Sequence, residues 1–253
     1  MFNWLFSAKR RSKPRSAFAP SGTRVYAIGD IHGRVDLLRA LHELIAADAA
    51  QGAAARKVVV YIGDYIDRGA DSREVIDLLL DEPLAGFEAI YLRGNHEQAL
   101  LDFYQDTAIT PAWLSFGGDA TLYSYNVASP APGDPMERLL QAQGEFKAKL
   151  PPRHLAFYRA LAPHHREGDY LFVHAGIRPG VALESQSEQD LLWIRDAFLK
   201  SRADHGCLVV HGHSITPRPD SRPNRIGIDT GAYASGVLTC LCLEGDERRF
   251  LST

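Results

Sequence analysis

Asp30 and His32 stand two residues apart in GDIHG (29–33), and in the extended backbone leaving a strand such a pair points the same way, so both can chelate one cation. GDYIDRG (63–69) adds Asp64, Asp67 and Arg68, and GNHE (94–97) adds Asn95 and His96. His174 follows in VHAG (173–176) and His213 in HGHS (211–214). Carboxylate, imidazole and amide oxygen together suit manganese, iron or zinc. A lone histidine at a strand end is more often a hydrogen-bonded structural residue than a ligand, and a lone Gly-Asp is usually a turn. Here Asp30, His32, Asp64, Asn95, His174 and His213 each follow a predicted strand, and that convergence points to metal-dependent phosphoester chemistry.

The elements that must carry these residues alternate. Residues 24–28 and 57–62 are short apolar, β-branched runs ending in Gly-Asp, and 87–92 is a third, ending in Arg-Gly-Asn. Between them Leu37, Leu38, Leu41, Leu44 and Ile45, and then Val75, Ile76, Leu79 and Leu80, recur at helical spacing. Strand, loop and helix repeated in this way predict parallel neighbours joined by crossover helices, with functional loops at the carboxyl ends of the strands. Strands resume at 169–173, 207–210 and 225–228, with a helix predicted over 191–199 and a hairpin from 236–243 and 248–251 across Glu244, Gly245 and Asp246.

The stretch from Gln98 to Gly168 carries no ligand-like pair, and Trp113, Phe116, Tyr123 and Tyr125 suggest helices and loops that cover the site and choose the substrate. Pro130, Pro132, Gly133 and Pro135 mark a break within it. Gly117 to Asp119 reads as a turn, and His164 and His165 as surface loop residues. Asp229-Thr230-Gly231 ends a strand near the site and has no assigned catalytic role.

With 253 residues, 45% hydrophobic and 23% charged, the chain has the composition of an ordinary globular protein with a sizeable core. Its net charge of −3 hides an asymmetry, because Lys9, Arg10, Arg11, Lys13 and Arg15 lie in a segment without acidic residues. Without those five cations, 23 basic residues face 31 acidic ones, an acidic body that argues against nucleic acid as a partner. Residues 1–22 read as a flexible basic tail, capable at most of weak contact with anionic surfaces, and 23–253 as the catalytic domain. No apolar run reaches the length of a membrane helix, and MFNWLF followed by cations has the wrong order for a secretory signal. Cys207, Cys240 and Cys242 are too few and too irregular for a disulfide framework; Cys240 and Cys242 read as buried on one face of a strand, and a reducing cytoplasm follows.

The series GDIHG, GDYIDRG, RGNHE, VHAG and GHS resembles the phosphoprotein phosphatase branch of the calcineurin-like metallophosphoesterases, most closely bacterial and phage serine/threonine phosphatases. The resemblance spans roughly residues 24–251 and implies an α/β fold, a β-sandwich flanked by helices in four layers (α/β/β/α). It implies two divalent ions, manganese before iron or zinc. Asp30 and His32 would hold the first, Asp64 would bridge, and Asn95, His174 and His213 would complete the second. The implied reaction is hydrolysis of phosphoserine or phosphothreonine in proteins by a metal-bridging hydroxide without a phosphoenzyme. His96 would protonate the leaving alkoxide, Asp67 would orient His96, and Arg68 would offer a fork to phosphate oxygens.

A second arginine is implied after the VHAG block. Arg195 in LWIR matches that position, with Arg178 and Arg202 nearby in sequence. HAG stands where many eukaryotic members have HGG, and Ile215 where other metallophosphoesterases carry a further metal histidine. Alignment of GHS with the usual GHT selects His213 over His211, which reads as a supporting or packing residue. The alternative function is hydrolysis of dinucleotides in the manner of the symmetrical diadenosine tetraphosphatases, which share these motifs. A binding protein without chemistry is disfavoured by the presence of every expected ligand and of the acid.

Overall fold

The computed structural model describes residues 17–106, 110–127 and 134–253. The expected basic cluster at 9–15 and the break at Pro130, Pro132 and Gly133 lie outside the described residues.

Along β1 (Thr23–Ile28), Val25 and Ala27 share one apolar cluster while Tyr26 and Ile28 belong to another, as a two-residue period requires of a strand buried on both faces. Beside it run β2 (Arg56–Tyr61) and β3 (Glu88–Tyr91), in parallel, joined by α1 (Val35–Ala50) and α2 (Ser72–Asp81). On its other side β9 (Thr239–Glu244) and β10 (Glu247–Ser252) form the expected hairpin, turning at Gly245 with φ +56°. The order is β10-β9-β1-β2-β3.

The second sheet, β4-β5-β6-β8-β7, has a parallel centre of β5 (Tyr170–Val173), β6 (Leu208–His211) and β8 (Arg225–Gly227). Antiparallel edges are β4 (His164–Glu167) and the short β7 (Asp220–Ser221), which no sequence pattern announced. Val25, Ala27, Val58 and Val60 of one sheet pack on Phe172, Val210 and Ile226 of the other. Helices cover the outer face of the first sheet through Leu38, Leu41, Val75 and Ile76, and Leu191 and Phe198 cover the second through Leu171 and Val209. The result is the four-layer α/β/β/α sandwich.

The covering stretch is helical: α3 (Asn95–Gln105), α4 (Thr110–Trp113), α5 (Asp119–Ser124), α6 (Pro135–Lys149) and α7 (Pro152–Ala160). Phe103, Trp113, Phe146 and Tyr158 are fully buried in the same cluster as α1 and α2, so these helices extend the core of the first sheet.

Four sequence expectations are corrected. The helix over 191–199 is two helices, α8 (Glu188–Trp193) and α9 (Asp196–Leu199), because Ile194 is extended at ψ 138° and Arg195 is non-helical. His164 and His165 are strand residues, since β5 supplies the pairing that their polar sequence does not advertise. Gly117 lies in a π-helical bulge (Leu114–Gly118) between α4 and α5, at φ +98°, instead of a plain turn. Ala17 to Gly22, assigned to the tail, pack on the body: Ala17 and Ala19 are buried, Ala19 N donates to Gly245 O, and Tyr170 Oη donates to Ala17 O.

Candidate metal centre

The loops after β1, β2, β3, β5 and β6 converge at the carboxyl ends of their strands. Those after β2 and β3 touch backbone to backbone: a Cβ at Gly63 (φ +99°) would come 2.5 Å from Gly94 N, and one at Gly94 would come 2.1 Å from Asp64 Oδ1. Glu97, in the first turn of α3, locks this crossing. Its carboxylate accepts from Asp64 N at 2.9 Å, Tyr65 N at 2.8 Å and Gly94 N at 2.9 Å. Burial, then the nearby Asp64, push its pKa up to about 8, while those N–H donors favour the carboxylate. His32, Asp64, Asp67, Arg68 and His213 all sit at positive φ, a concentration of backbone strain that marks functional loops.

Two groups of donors result. Ligand atoms of His32, Asp64 and His96 lie within 4.8 Å of one another, and so do those of Asp64, His174 and His213. Asp64 belongs to both: Oδ2 is 3.6 Å from His32 Nε2, and Oδ1 is 3.4 Å from His174 Nε2. Burial alone would raise its pKa, but the surrounding imidazoles, His174 first, hold it below the usual carboxylate range. His32 Nδ1 meets Ile66 O at 2.8 Å and His174 Nδ1 meets Ile62 O at 2.9 Å. A carbonyl accepts only from a protonated nitrogen, so both rings present an unprotonated Nε2 to the centre. Burial keeps them neutral, His32 with a pKa near 3.

The sequence-predicted residues Asp30 and Asn95 complete the arrangement. Asp30 Oδ2 accepts from His213 N at 3.0 Å, while its Oδ1 and His213 Nε2 are buried without a hydrogen-bond partner. Asn95 Oδ1 faces His174 Nε2 at 2.8 Å, lone pair toward lone pair in the tautomer that Ile62 O dictates. Buried orphan acceptors and opposed lone pairs are costly without a cation in their midst, and the donor set is all oxygen and nitrogen; these residues fit divalent metal ions.

His96 differs from the other imidazoles. Its Nδ1 meets a carboxylate, Asp67 Oδ2, at 2.6 Å. Burial works against its charge, but Asp64 and Asp67 outweigh it and raise its pKa. Arg68 Nη2 lies 3.4 Å from His96 Nε2, and its guanidinium stacks 4.7 Å from the Tyr233 ring. Arg195 stands exposed at the break between α8 and α9, with Nη1 3.5 Å from Ser214 Oγ; burial first, with the Arg195 charge a lesser cause, lowers the pKa of His174 and His213. Arg178 is tied to Asp190 by two hydrogen bonds, and Arg202 lines a separate 580 Å³ cavity with Cys207 and Arg225. His211 is held by Arg225 Nη1 at 3.2 Å and belongs to neither donor group.

A family model described as calcineurin-like phosphoesterase matches residues 23–234. The chain belongs to the calcineurin-like phosphoesterase family. This phosphoesterase is therefore a hydrolase of a family that works with divalent metals. It is 30% identical over 231 residues to serine/threonine-protein phosphatase 1 of Salmonella typhimurium, spanning 87% of this chain and 92% of the relative. It is 26% identical over 233 residues to the asymmetrical bis(5'-nucleosyl)-tetraphosphatase PrpE of Bacillus thuringiensis, spanning 85% and 88%. A solved cold-active protein tyrosine phosphatase shares its fold with a TM-score of 0.55 at 19% identity, over 93% of this chain and 82% of that one.

Sequence reasoning missed several residues that shape the calcineurin-like site. Glu97 was present in the motif, and its place three residues after Gly94 at a helix start was the available signal. Trp113 was read only as part of the cover, and Thr121 and Tyr233 carried no signal, because their partners lie far away in the chain.

Proposed function

We propose that this phosphoesterase hydrolyses phosphoserine and phosphothreonine monoesters in proteins, with two divalent ions, manganese before iron or zinc, in the reducing cytoplasm of a bacterium. The carrying observation is one buried carboxylate, Asp64, shared by two donor groups, the first of which includes His96. Asp30 and His32 would hold one ion, Asn95, His174 and His213 the other, and Asp64 would serve both. Bound there, the ions supply a water ionised near neutral pH and offset charge on the phosphoryl oxygens. His96, fixed by a carboxylate instead of a carbonyl, keeps a proton on Nε2 for the leaving alkoxide. Arg68 and Arg195 grip the remaining phosphate oxygens. Three free cysteines, with Cys240 and Cys242 buried on one strand, are in keeping with a reducing compartment, and the acidic described body with a protein partner and not nucleic acid.

The Salmonella relative's name supports the phosphoprotein reading, and the Bacillus relative's name supports the second one, dinucleotide hydrolysis, in the asymmetrical mode its name prints instead of the symmetrical mode the motifs suggested. Turnover of a phosphoserine peptide beside diadenosine tetraphosphate, with manganese, separates the two. Faster turnover of the peptide is expected; preference for the dinucleotide overturns the first reading.

A further inference from the structure

The stretch from α4 to α5 was expected to cover the site and choose the substrate, yet it is also bonded to the two residues that serve His96 and the phosphate. Asp67 is fully buried at φ +70°, and its carboxylate has three donors. Oδ2 accepts from His96 Nδ1 at 2.6 Å and from Trp113 Nε1 at 2.8 Å, and Oδ1 accepts from Thr121 Oγ1 at 2.5 Å. The Thr121 hydroxyl also accepts from Asp67 N at 2.9 Å, so one side chain holds both the main chain and the carboxylate of the strained residue. Arg68 N donates to Gly117 O at 3.1 Å, and a Cβ at Gly117 would come 2.8 Å from that nitrogen.

The brace is itself immobilised. Trp113 has no exposed surface; its ring lies 4.8 Å from Phe103 and 6.5 Å from Phe146, and a Cβ at Gly118 would come 2.5 Å from it. A carboxylate with three donors in fixed directions has one orientation, and the ring bonded to it inherits that orientation. We propose that Trp113 and Thr121 are positioning residues of the acid, which hold Asp67 so that His96 Nε2 faces the leaving oxygen. This rests on the reading of His96 as the general acid. In that step a phosphorus–oxygen bond to a water-derived hydroxide forms, the bond to the substrate's alkoxide breaks, and the alkoxide takes the His96 proton, giving alcohol and phosphate.

A leaving group's need for a proton tests the assignment. A serine alkoxide leaves poorly without one, whereas p-nitrophenolate leaves readily, so a displaced acid costs the first far more than the second. Thr121→Val, which keeps the shape and removes the hydroxyl, and Trp113→Phe, which removes the indole donor, are compared with wild type and His96→Asn as manganese-loaded proteins. Expected for both brace variants is a fall in kcat of roughly 10-fold or more on a phosphoserine peptide, with KM little changed and p-nitrophenyl phosphate turnover within about 3-fold. Thr121→Ser restores the peptide rate. Equal losses on both substrates, or loss through KM alone, mean a merely structural brace and overturn the proposal. If His96→Asn itself shows no greater loss on the peptide than on the aryl ester, the acid reading fails and the proposal falls with it. Selective loss in His96→Asn without it in Thr121→Val overturns the brace alone.

Discussion

The two ends of β1 hold charge in opposite ways. At its start Arg24, Tyr26, Arg249 and Asp48 form a closed cluster. Asp48 accepts from Tyr26 Oη at 2.6 Å, from Arg24 Nη1 at 3.4 Å and from both guanidinium nitrogens of Arg249, while Arg24 Nε donates to Glu244 at 2.7 Å. At its end Asp30 Oδ1 and His213 Nε2 lack partners, and non-glycine residues occupy left-handed backbone. Charge is common to both, part-buried at the start and buried at the end. What distinguishes the far end is unmet bonding capacity in a strained frame, the capacity that a ligand would fill.

Substitutions at the two ends break this contrast or sharpen it. The largest effect is expected of Asp64→Asn, which removes the carboxylate common to both donor groups: bound metal, read by elemental analysis, and turnover of p-nitrophenyl phosphate should both fall to background. His96→Asn should keep its metal and lose on the order of 10² to 10⁴ in kcat on a phosphoserine peptide. At the other end Asp48→Ala leaves two arginines facing a gap and should cost roughly 3 kcal/mol in urea unfolding, with kcat at 25 °C unchanged. A drop in kcat matching that of His96→Asn would erase the distinction between the ends.

The smallest effect concerns a buried histidine outside both clusters. His42 meets Tyr61 Oη at 2.8 Å, and burial, then the Arg39 charge, lower its pKa to about 4. The folded form therefore binds its proton less well than the unfolded chain, whose value is near 6.5. Its contribution is complete above pH 6.5 and is lost as pH falls toward 4, by roughly 2 to 3 kcal/mol. Urea midpoints at pH 7 and pH 4.5 should draw together in His42→Gln relative to wild type; an unchanged difference would remove His42 as a source of acid sensitivity.

Local signals were legible and distant ones were not. The β-branched run before Asp30 and the i, i+2 spacing of Asp30 and His32 lie within a few residues, so the strand and the chelating pair could be read together. The parallel order of β1, β2 and β3 followed from helices long enough to cross the sheet. His164 to Glu167 becomes a strand only because β5 lies beside it, and Ala17 is buried because Tyr170 reaches it across 153 residues. Trp113 and Thr121 meet Asp67 from 46 and 54 residues away, and no pattern around any of the three announces the encounter. Helix 191–199 failed for a local reason, since apolar spacing continues through Ile194 although the backbone there is extended.

At the crossing of the Gly63 and Gly94 loops the two backbones touch and the buried Glu97 carboxylate ties one to the other, so the separation of Asp64 from Asn95 and His96 is set by covalent dimensions and by Glu97. Wear in the hydrophobic core has little purchase on that spacing. Heating this phosphatase should accordingly leave its specific activity on the rising Arrhenius line until the chain melts, with no gradual decline beforehand.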